Sequence, residues 1–132
     1  MITYVTAISM KPKRFVCGVF EGTETLANIS TNPHFVLQLL GSNQYRLLDL
    51  LGKKSGKTTD KIARLKKRDE LAGWNGFKIL KHCLAVMEMK VTNRINAGDH
   101  TLFLCDVIAW KNIQKGSALT LDTLRQHKMI RI

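Results

Sequence analysis

Short runs of alternating apolar residues, separated by tight turns, constrain the fold of this chain more than any other feature of its sequence. The runs are rich in β-branched and aromatic residues, a composition typical of strands that bury one face. Because the connections are short, neighbouring strands are expected to pair antiparallel, and the pattern predicts a mostly antiparallel barrel. The predicted strands span residues 2–9, 14–20, 34–40, 79–91 and 100–110, with further extended segments around 119–121 and 129–132.

Three short helices are predicted between the strands. The first, residues 23–30, can be capped by Thr23 and is ended by the Asn-Pro pair that follows it. The second, residues 41–52, begins with a Ser-Asn pair of cap candidates, and the third, residues 60–71, follows a basic loop. The stretches "AGWNGF" and "NRINAG" are predicted to be turns.

The composition is that of one folded domain over residues 1–132. Hydrophobic residues make up 45% of the chain, which is enough for a core and excludes a disordered protein. No run approaches the roughly eighteen apolar residues of a membrane span, and no basic residues precede the first apolar stretch. Cys17, Cys83 and Cys105 lie in apolar runs without metal-ligand spacing, which predicts core thiols and a cytoplasmic location.

Most of the formal net charge of +11 lies in one segment. Residues 53–68, "KKSGKTTDKIARLKKR", contain eight basic residues and one acidic residue, a local surplus of seven. Such a concentrated surplus favours a local anion site or a solvated basic face over a positive charge spread across the whole protein.

The sequence lacks the patterns of nucleophilic and metal catalysis. It contains no Gly-x-Ser-x-Gly, no HExxH, no P-loop and no GxGxxG after a strand. The four histidines are scattered rather than spaced as metal ligands. No catalytic side chain and no metal ligand are therefore predicted.

Several residues can be interpreted either structurally or functionally. Asp99 could simply cap its turn through a backbone hydrogen bond, and His100 could be a turn-capping or surface histidine. Thr23 and Thr25 could begin an ordinary capped helix, or their hydroxyls and the free N–H groups beside them could bind a phosphate. The lysines of "GKKSGK" could equally reach a phosphate or form a solvated loop, and the aromatic residues of "AGWNGF" are expected to pack beside their turn.

Four stretches, in this order, resemble the flavin reductase-like family with the FMN-binding split-barrel fold, the group that includes flavoredoxin. "TYVTAISMKP" is similar to the family's second strand and its proline turn, and "GTETLANI" resembles the start of its phosphate-side helix. "LGKKSGKTTDKI" is similar to a segment with a Ser-Gly pair and a later Asp-Lys pair. "AGDHTLFLCDV" resembles a Gly-Asp-His turn that leads into a strand. The resemblance covers nearly the whole chain.

The resemblance implies a six-stranded antiparallel split β-barrel, mostly β with short helices, that forms a homodimer. FMN would lie in a cleft between the two subunits, with NAD(P)H as co-substrate. The implied activity is an NAD(P)H-dependent flavin reductase that transfers hydride from nicotinamide to flavin. A flavoredoxin-like electron carrier without nicotinamide activity is equally implied.

The resemblance also assigns roles to ten residues of this chain. Backbone groups of Tyr4, Val5 and Thr6 would line the isoalloxazine ring, and Ser9 would lie near its ribityl side. Thr23 and Thr25 would bind the phosphate, with second-rank contacts from Ser55 and Lys57. Asp99 would hold its turn, and His100 would touch the incoming nicotinamide cofactor or the flavin edge.

The chain departs from the family pattern at its start. Family members carry an additional strand before the one matched by residues 2–9, and this chain begins close to that strand. The start would then be displaced, or the barrel completed by the tail or a partner subunit, since an unpaired edge favours unwanted pairing. Two other functions stay open: a nucleic-acid-binding barrel that uses residues 53–68, and a barrel that binds no cofactor. Against the first, the aromatic residues are not interleaved with the basic ones.

Overall fold

The computed structural model describes residues 1–131. Short helices lie between groups of strands, as the sequence predicts. In chain order they are β1 Tyr4–Met10, β2 Lys13–Phe20, α1 Glu24–Thr31, β3 His34–Leu39, a 3₁₀ helix Ser42–Leu47, α2 Leu48–Leu51, α3 Lys61–Lys67, β4 Leu71–Trp74, β5 Phe77–Leu80, β6 Ala85–Asn96, β7 His100–Asn112 and α4 Leu121–Gln126.

Five strands form one sheet in the order β1-β2-β7-β6-β3, and β4 pairs with β5 in a separate hairpin. All of these pairs are antiparallel. The predictions of a mostly β chain, antiparallel pairing and short helices are therefore confirmed. The longest strands are β6, with 12 residues, and β7, with 13, and they pair with each other within this sheet.

The core has two parts. One cluster lies between the β4–β5 hairpin, α2 and α3, and includes Leu50, Leu65 and Val86. The other lies between the inner face of the sheet and α1, and is centred on Phe103 and Met89, which are 1% and 0% exposed. Together the two clusters fix the basic segment and the start of α1 on one scaffold.

All three cysteines are free and buried, which confirms their predicted place in the core. Burial raises the pKa of the Cys83 thiol above its ordinary value. A hydrogen bond with Cys17, together with burial, raises the pKa of Cys105 as well. These two thiols are therefore neutral and serve as small core residues.

The outer face of the sheet remains apolar. Tyr4 pairs with Gly18, Gly18 with Leu102, and Leu102 with Ile95, and residues paired in this way lie on one face. A Cβ atom on Gly18 would lie 3.0 Å from the Cβ of Tyr4, so the glycine lets this tyrosine lie close against the sheet. Tyr4 and Ile95 are 63% and 58% exposed, so the row forms an uncovered apolar surface.

The strand predicted over 79–91 is interrupted in the structure, because residues 79–80 end β5 and residues 81–84 belong to no strand. "AGWNGF" is not a turn alone, since its outer residues belong to β4 and β5, and only Asn75 and Gly76 make the turn. Both have positive φ, 47° and 79°, as a two-residue hairpin loop requires. The Asn-Gly pair was the available signal. The long strand begins at Ala85 instead.

Several other elements differ from prediction. The helix predicted over 60–71 is shorter, since α3 ends at Lys67 and Leu71 already belongs to β4. The helix predicted over 41–52 begins as a 3₁₀ helix and becomes α-helical only at α2. "NRINAG" is mostly strand, because β6 continues to Asn96 before the turn. The extended segment predicted around 119–121 is wrong, since Thr120 caps α4 there by accepting a hydrogen bond from the Thr123 N–H. Residues 129–131 form no strand, and residue 132 lies outside the described residues.

No helix within residues 1–131 has the length and apolar character needed to cross a membrane.

Candidate functional site

A cleft of about 970 Å³ lies between the start of α1, the basic loop and the β4–β5 hairpin. It brings together four of the predicted phosphate contacts: Thr23, Thr25, Ser55 and Lys57 all line it. These residues are up to 34 positions apart in sequence, from 23 to 57. Its volume is in the range of cofactor sites, which suits the flavin mononucleotide that the sequence resemblance implies.

The two threonines at the start of α1 have different environments. The Thr23 hydroxyl donates to the Phe20 carbonyl at 2.8 Å and accepts from the Leu26 N–H at 3.2 Å, so it serves as the helix cap. The Thr25 hydroxyl makes no hydrogen bond within residues 1–131 and is exposed to the cleft. Thr25 is therefore the threonine that is free to donate to a ligand.

The basic loop is folded back toward α1. The Ser55 hydroxyl accepts from the Lys57 N–H at 3.2 Å, and the Ser55 carbonyl accepts from the Thr59 N–H at 3.0 Å, which makes a tight turn. A Cβ atom on Gly56 would lie 3.0 Å from the Cβ of Glu24, so the loop backbone approaches α1 closely. The Ser55 proton and the Lys57 ammonium are left available to a ligand.

The Lys61 side chain links the start of α3 to the end of α2, the two helices that the basic loop connects. Its ammonium donates to the Leu51 carbonyl at 2.9 Å, and burial lowers the pKa of Lys61 below its ordinary value. Lys61 lines the same cleft but was not among the predicted contacts. The Asp-Lys pair in "LGKKSGKTTDKI" was the signal that could have identified it.

The cleft has an excess of positive charge. Its lysines outnumber its acids by five to two: Lys53, Lys54, Lys57, Lys61 and Lys78 against Glu24 and Asp60. Lys53 is paired with Asp49 at 2.9 Å, and Asp60 accepts from the Ala63 N–H as the cap of α3. The remaining lysines face the cleft without a carboxylate partner in the described part of the chain, as an anion site requires.

A second group of predicted residues lies outside this cleft. The imidazole of His100 packs edge-on between Tyr4 and Phe20, with ring centroids 4.9 Å and 5.2 Å away. Its Nδ1 lies 2.7 Å from an Asp99 carboxylate oxygen, which orients the ring. His100 and Tyr4 therefore meet at the apolar outer face of the sheet. Phe20, which sequence reasoning did not select, belongs to the same group.

The other residues of β1 divide between the two faces. Thr6 pairs with Val16 next to the Tyr4 row, whereas Val5 pairs with the buried Cys17. Ser9 lies beyond a β-bulge and pairs with Arg14. Since β1 is the edge strand of the sheet, its unpaired side presents backbone groups to whatever lies beside it.

The turn between β2 and α1 connects the cleft residues to the group around His100. The Glu21 N–H donates to the Asp99 carbonyl at 2.9 Å, and the Glu21 carboxylate accepts from the Thr101 hydroxyl. Two residues later, Thr23 caps the helix at the cleft. The Gly-Asp-His turn and the cleft are thus held to the same short connection.

The sequence matches the family model of the flavin reductase like domain over residues 1–127. The chain therefore belongs to the flavin reductase like family. A search of curated protein sequences found no match.

Solved structures share the fold. The FMN-binding protein from Thermus thermophilus with bound 1-cyclohex-2-enone superposes with a TM-score of 0.73 at 24% identity, over 84% of this chain and 60% of that one. The styrene monooxygenase flavin reductase from Pseudomonas putida S12 gives 0.69 at 22% identity, over 84% and 67%. Flavoredoxin from Methanosarcina acetivorans gives 0.74 at 19% identity, over 92% and 66%. The chain thus spans about three fifths of the length of the Thermus protein, and the split-barrel fold is confirmed.

The separate roles of the two threonines lead to a testable difference. Thr23→Ala should lower the free energy of unfolding by about 1 kcal/mol, because it removes the cap of α1. Thr25→Ala should leave stability nearly unchanged; if Thr25 binds the phosphate of FMN, as the sequence resemblance implies, the variant should also raise the FMN dissociation constant about tenfold, through loss of one charge-assisted hydrogen bond. Chemical denaturation and fluorescence titration of FMN measure the two effects. Equal loss of FMN affinity in both variants, without destabilisation by Thr23→Ala, would contradict this division.

Proposed function

We propose that the chain is an FMN-binding flavoprotein that acts as an NAD(P)H-dependent flavin reductase. The observation that carries this proposal is the cleft, in which Thr25, Ser55 and Lys57 converge beside the first turn of α1 in a chain of the flavin reductase like family. Helix N-termini, hydroxyls and lysines are the groups that bind a terminal phosphate.

The residues of the cleft fit the phosphate of FMN. Thr25 and Ser55 have hydroxyl protons to donate, and Lys57 supplies a flexible positive charge. The N–H groups of Glu24 and Thr25, in the first turn of α1, have no carbonyl partner within residues 1–131 and add further donors. Thr23 contributes by fixing the direction of these N–H groups rather than by direct contact.

The isoalloxazine end would lie against β1 and the Gly-Asp-His turn. Tyr4, Val5 and Thr6 lie on the edge strand there, and Ser9 lies farther along it. FMN, when bound, supplies the acceptor for a hydride from NAD(P)H. The protein has to hold the two ring systems about 3–3.5 Å apart, and His100, held by Asp99, is placed to orient the nicotinamide or the flavin edge.

A homodimer would cover the apolar outer face. The row from Tyr4 to Ile95 adjoins His100 and Phe20, so a second subunit placed here would exclude water from the flavin edge. This arrangement puts the flavin between two subunits and removes the open side of β1 from solvent. It also explains why a bulky tyrosine is left 63% exposed in the single chain.

The dimer can be tested by placing a charge on this face. Ile95→Asp should raise the dimer dissociation constant at least a hundredfold, because an unpaired carboxylate would be buried at the interface. Light scattering after size exclusion, with and without FMN, measures the subunit mass. Leu121→Asp, at a similarly exposed apolar residue on α4, should leave the mass unchanged. A wild-type protein that is monomeric in both conditions would contradict the proposed interface.

The activity itself is tested by titration and rapid mixing. The protein incubated with FMN should give a bound yellow species with altered flavin fluorescence, and NADH or NADPH should bleach it in stopped flow. Bound FMN that neither nucleotide reduces would indicate a flavoredoxin-like electron carrier instead. A folded protein that binds no FMN would contradict the proposed function.

A further inference from the structure

A second concave site lies on the other side of the basic segment. It has a volume of about 540 Å³ and lies between the 3₁₀ helix, α3 and the segment that follows α4. Four cations line it: Arg46, Lys54, Arg64 and Arg68. None of the phosphate contacts proposed for FMN lines this pocket.

The core brings these cations together. Leu47, Leu50 and Leu65 are buried in one cluster, which packs the 3₁₀ helix and α2 against α3. Arg64 and Arg68 are four residues apart, so they lie on the same side of α3. The buried leucines therefore place the segments that carry these cations next to one another.

The positive charges in the pocket are largely uncompensated. In the described part of the chain, Lys54, Arg64 and Arg68 have no carboxylate within salt-bridge distance, and the one acid in the pocket wall, Asp49, is paired with Lys53. Like charges held close together repel, and a bound anion relieves that repulsion. A guanidinium group offers two parallel N–H donors, which match the oxygens of a phosphate.

An aromatic wall completes the pocket. Tyr45 and His127 stack with ring centroids 3.8 Å apart and an angle of 6° between their planes. The Tyr45 hydroxyl accepts from Arg46 Nε at 3.3 Å, which leaves its own proton free to donate to a ligand. The site thus combines phosphate donors with a flat surface and has the size of a small-molecule pocket.

We propose that this pocket binds the phosphate or diphosphate group of a small-molecule anion, at a site separate from the flavin cleft. Arg64 and Arg68 contact the phosphate oxygens from α3, and Arg46 contacts them from the 3₁₀ helix. The proposal does not depend on flavin binding, since Lys54 is the only residue among 1–131 that lines both sites.

Calorimetric titration with inorganic pyrophosphate and, separately, with ADP tests this proposal. Both should bind the wild-type chain at low salt, with or without saturating FMN. Tighter binding of ADP would assign the aromatic wall to a nucleotide base, and equal affinity would assign the site to the phosphate groups alone. Binding of neither probe, or binding that FMN abolishes, would overturn the proposal. So would binding of a single-stranded oligonucleotide in the absence of binding by both probes.

A matched pair of variants locates the site. Arg64→Gln with Arg68→Gln should weaken pyrophosphate binding about a hundredfold, because two charge-assisted contacts are lost. Lys66→Gln with Lys67→Gln removes the same charge from the same helix at residues outside the pocket, and should change affinity less than about threefold. Arg46→Gln gives an independent check from the 3₁₀ helix. Equal losses in both double variants would show general charge attraction and overturn the proposal.

Discussion

Lys57→Glu is expected to raise the FMN dissociation constant about a hundredfold while leaving the affinity for riboflavin unchanged. The variant removes the proposed phosphate contact and places a negative charge in the same cleft, so attraction becomes repulsion. Riboflavin has the same ring system but no phosphate, and therefore reports on the ring site alone. Fluorescence titration with both flavins measures the difference.

The control is Lys115→Glu, which makes the same charge change at an exposed residue outside the cleft. It should alter FMN affinity by less than about threefold, because exposed charges far from the ligand are screened by salt. Equal loss of FMN and riboflavin binding in Lys57→Glu would show that the loop supports the ring site instead, and the phosphate assignment would then be wrong.

Phe103→Ala should lower the free energy of unfolding by about 3–5 kcal/mol. The phenyl ring is 1% exposed and lies at the centre of the cluster under β7, so its removal leaves a cavity that the sheet cannot close. Denaturation in urea, followed by fluorescence and circular dichroism, measures the loss. Leu121→Ala, at a leucine that is 44% exposed, should cost less than about 1 kcal/mol. Similar costs for the two variants would mean that the cluster around Phe103 is not a stabilising core.

The basic segment, residues 53–68, contributes side chains to both proposed anion sites. Residues 53–57 line the cleft, and of these Lys54 also lines the second pocket, whereas Arg64 and Arg68 line the second pocket only. A single continuous groove for nucleic acid would instead require the cations to follow one track with interleaved aromatic residues. Tyr45 and His127 lie beside these arginines as a single stacked pair, and they are not interleaved with the basic residues along such a track.

The local sequence was sufficient to predict the features that interactions between nearby residues determine. The Thr23 cap of α1 was predicted from the hydroxyl before an apolar run, and the hydrogen bond from Leu26 is local. The antiparallel strands were predicted from alternating residues and short turns, and the cysteines were placed in the core by their apolar neighbours. The Asn75-Gly76 turn was equally local, but its signal was assigned to a longer loop.

Tertiary structure decided which of these groups meet. Composition showed that residues 53–68 are basic. Their division between the cleft and the pocket depends on tertiary packing, because Leu50 and Leu65 are buried in one cluster that fixes the position of the segment. Spacing could not show that Thr23 is already used as a donor while Thr25 is free, because the carbonyl of Phe20 that accepts from Thr23 is positioned by the end of β2. Hydrogen bonds between residues close in sequence are determined by local backbone geometry. The convergence of residues distant in sequence depends instead on how apolar surfaces pack, and that packing involves the whole chain.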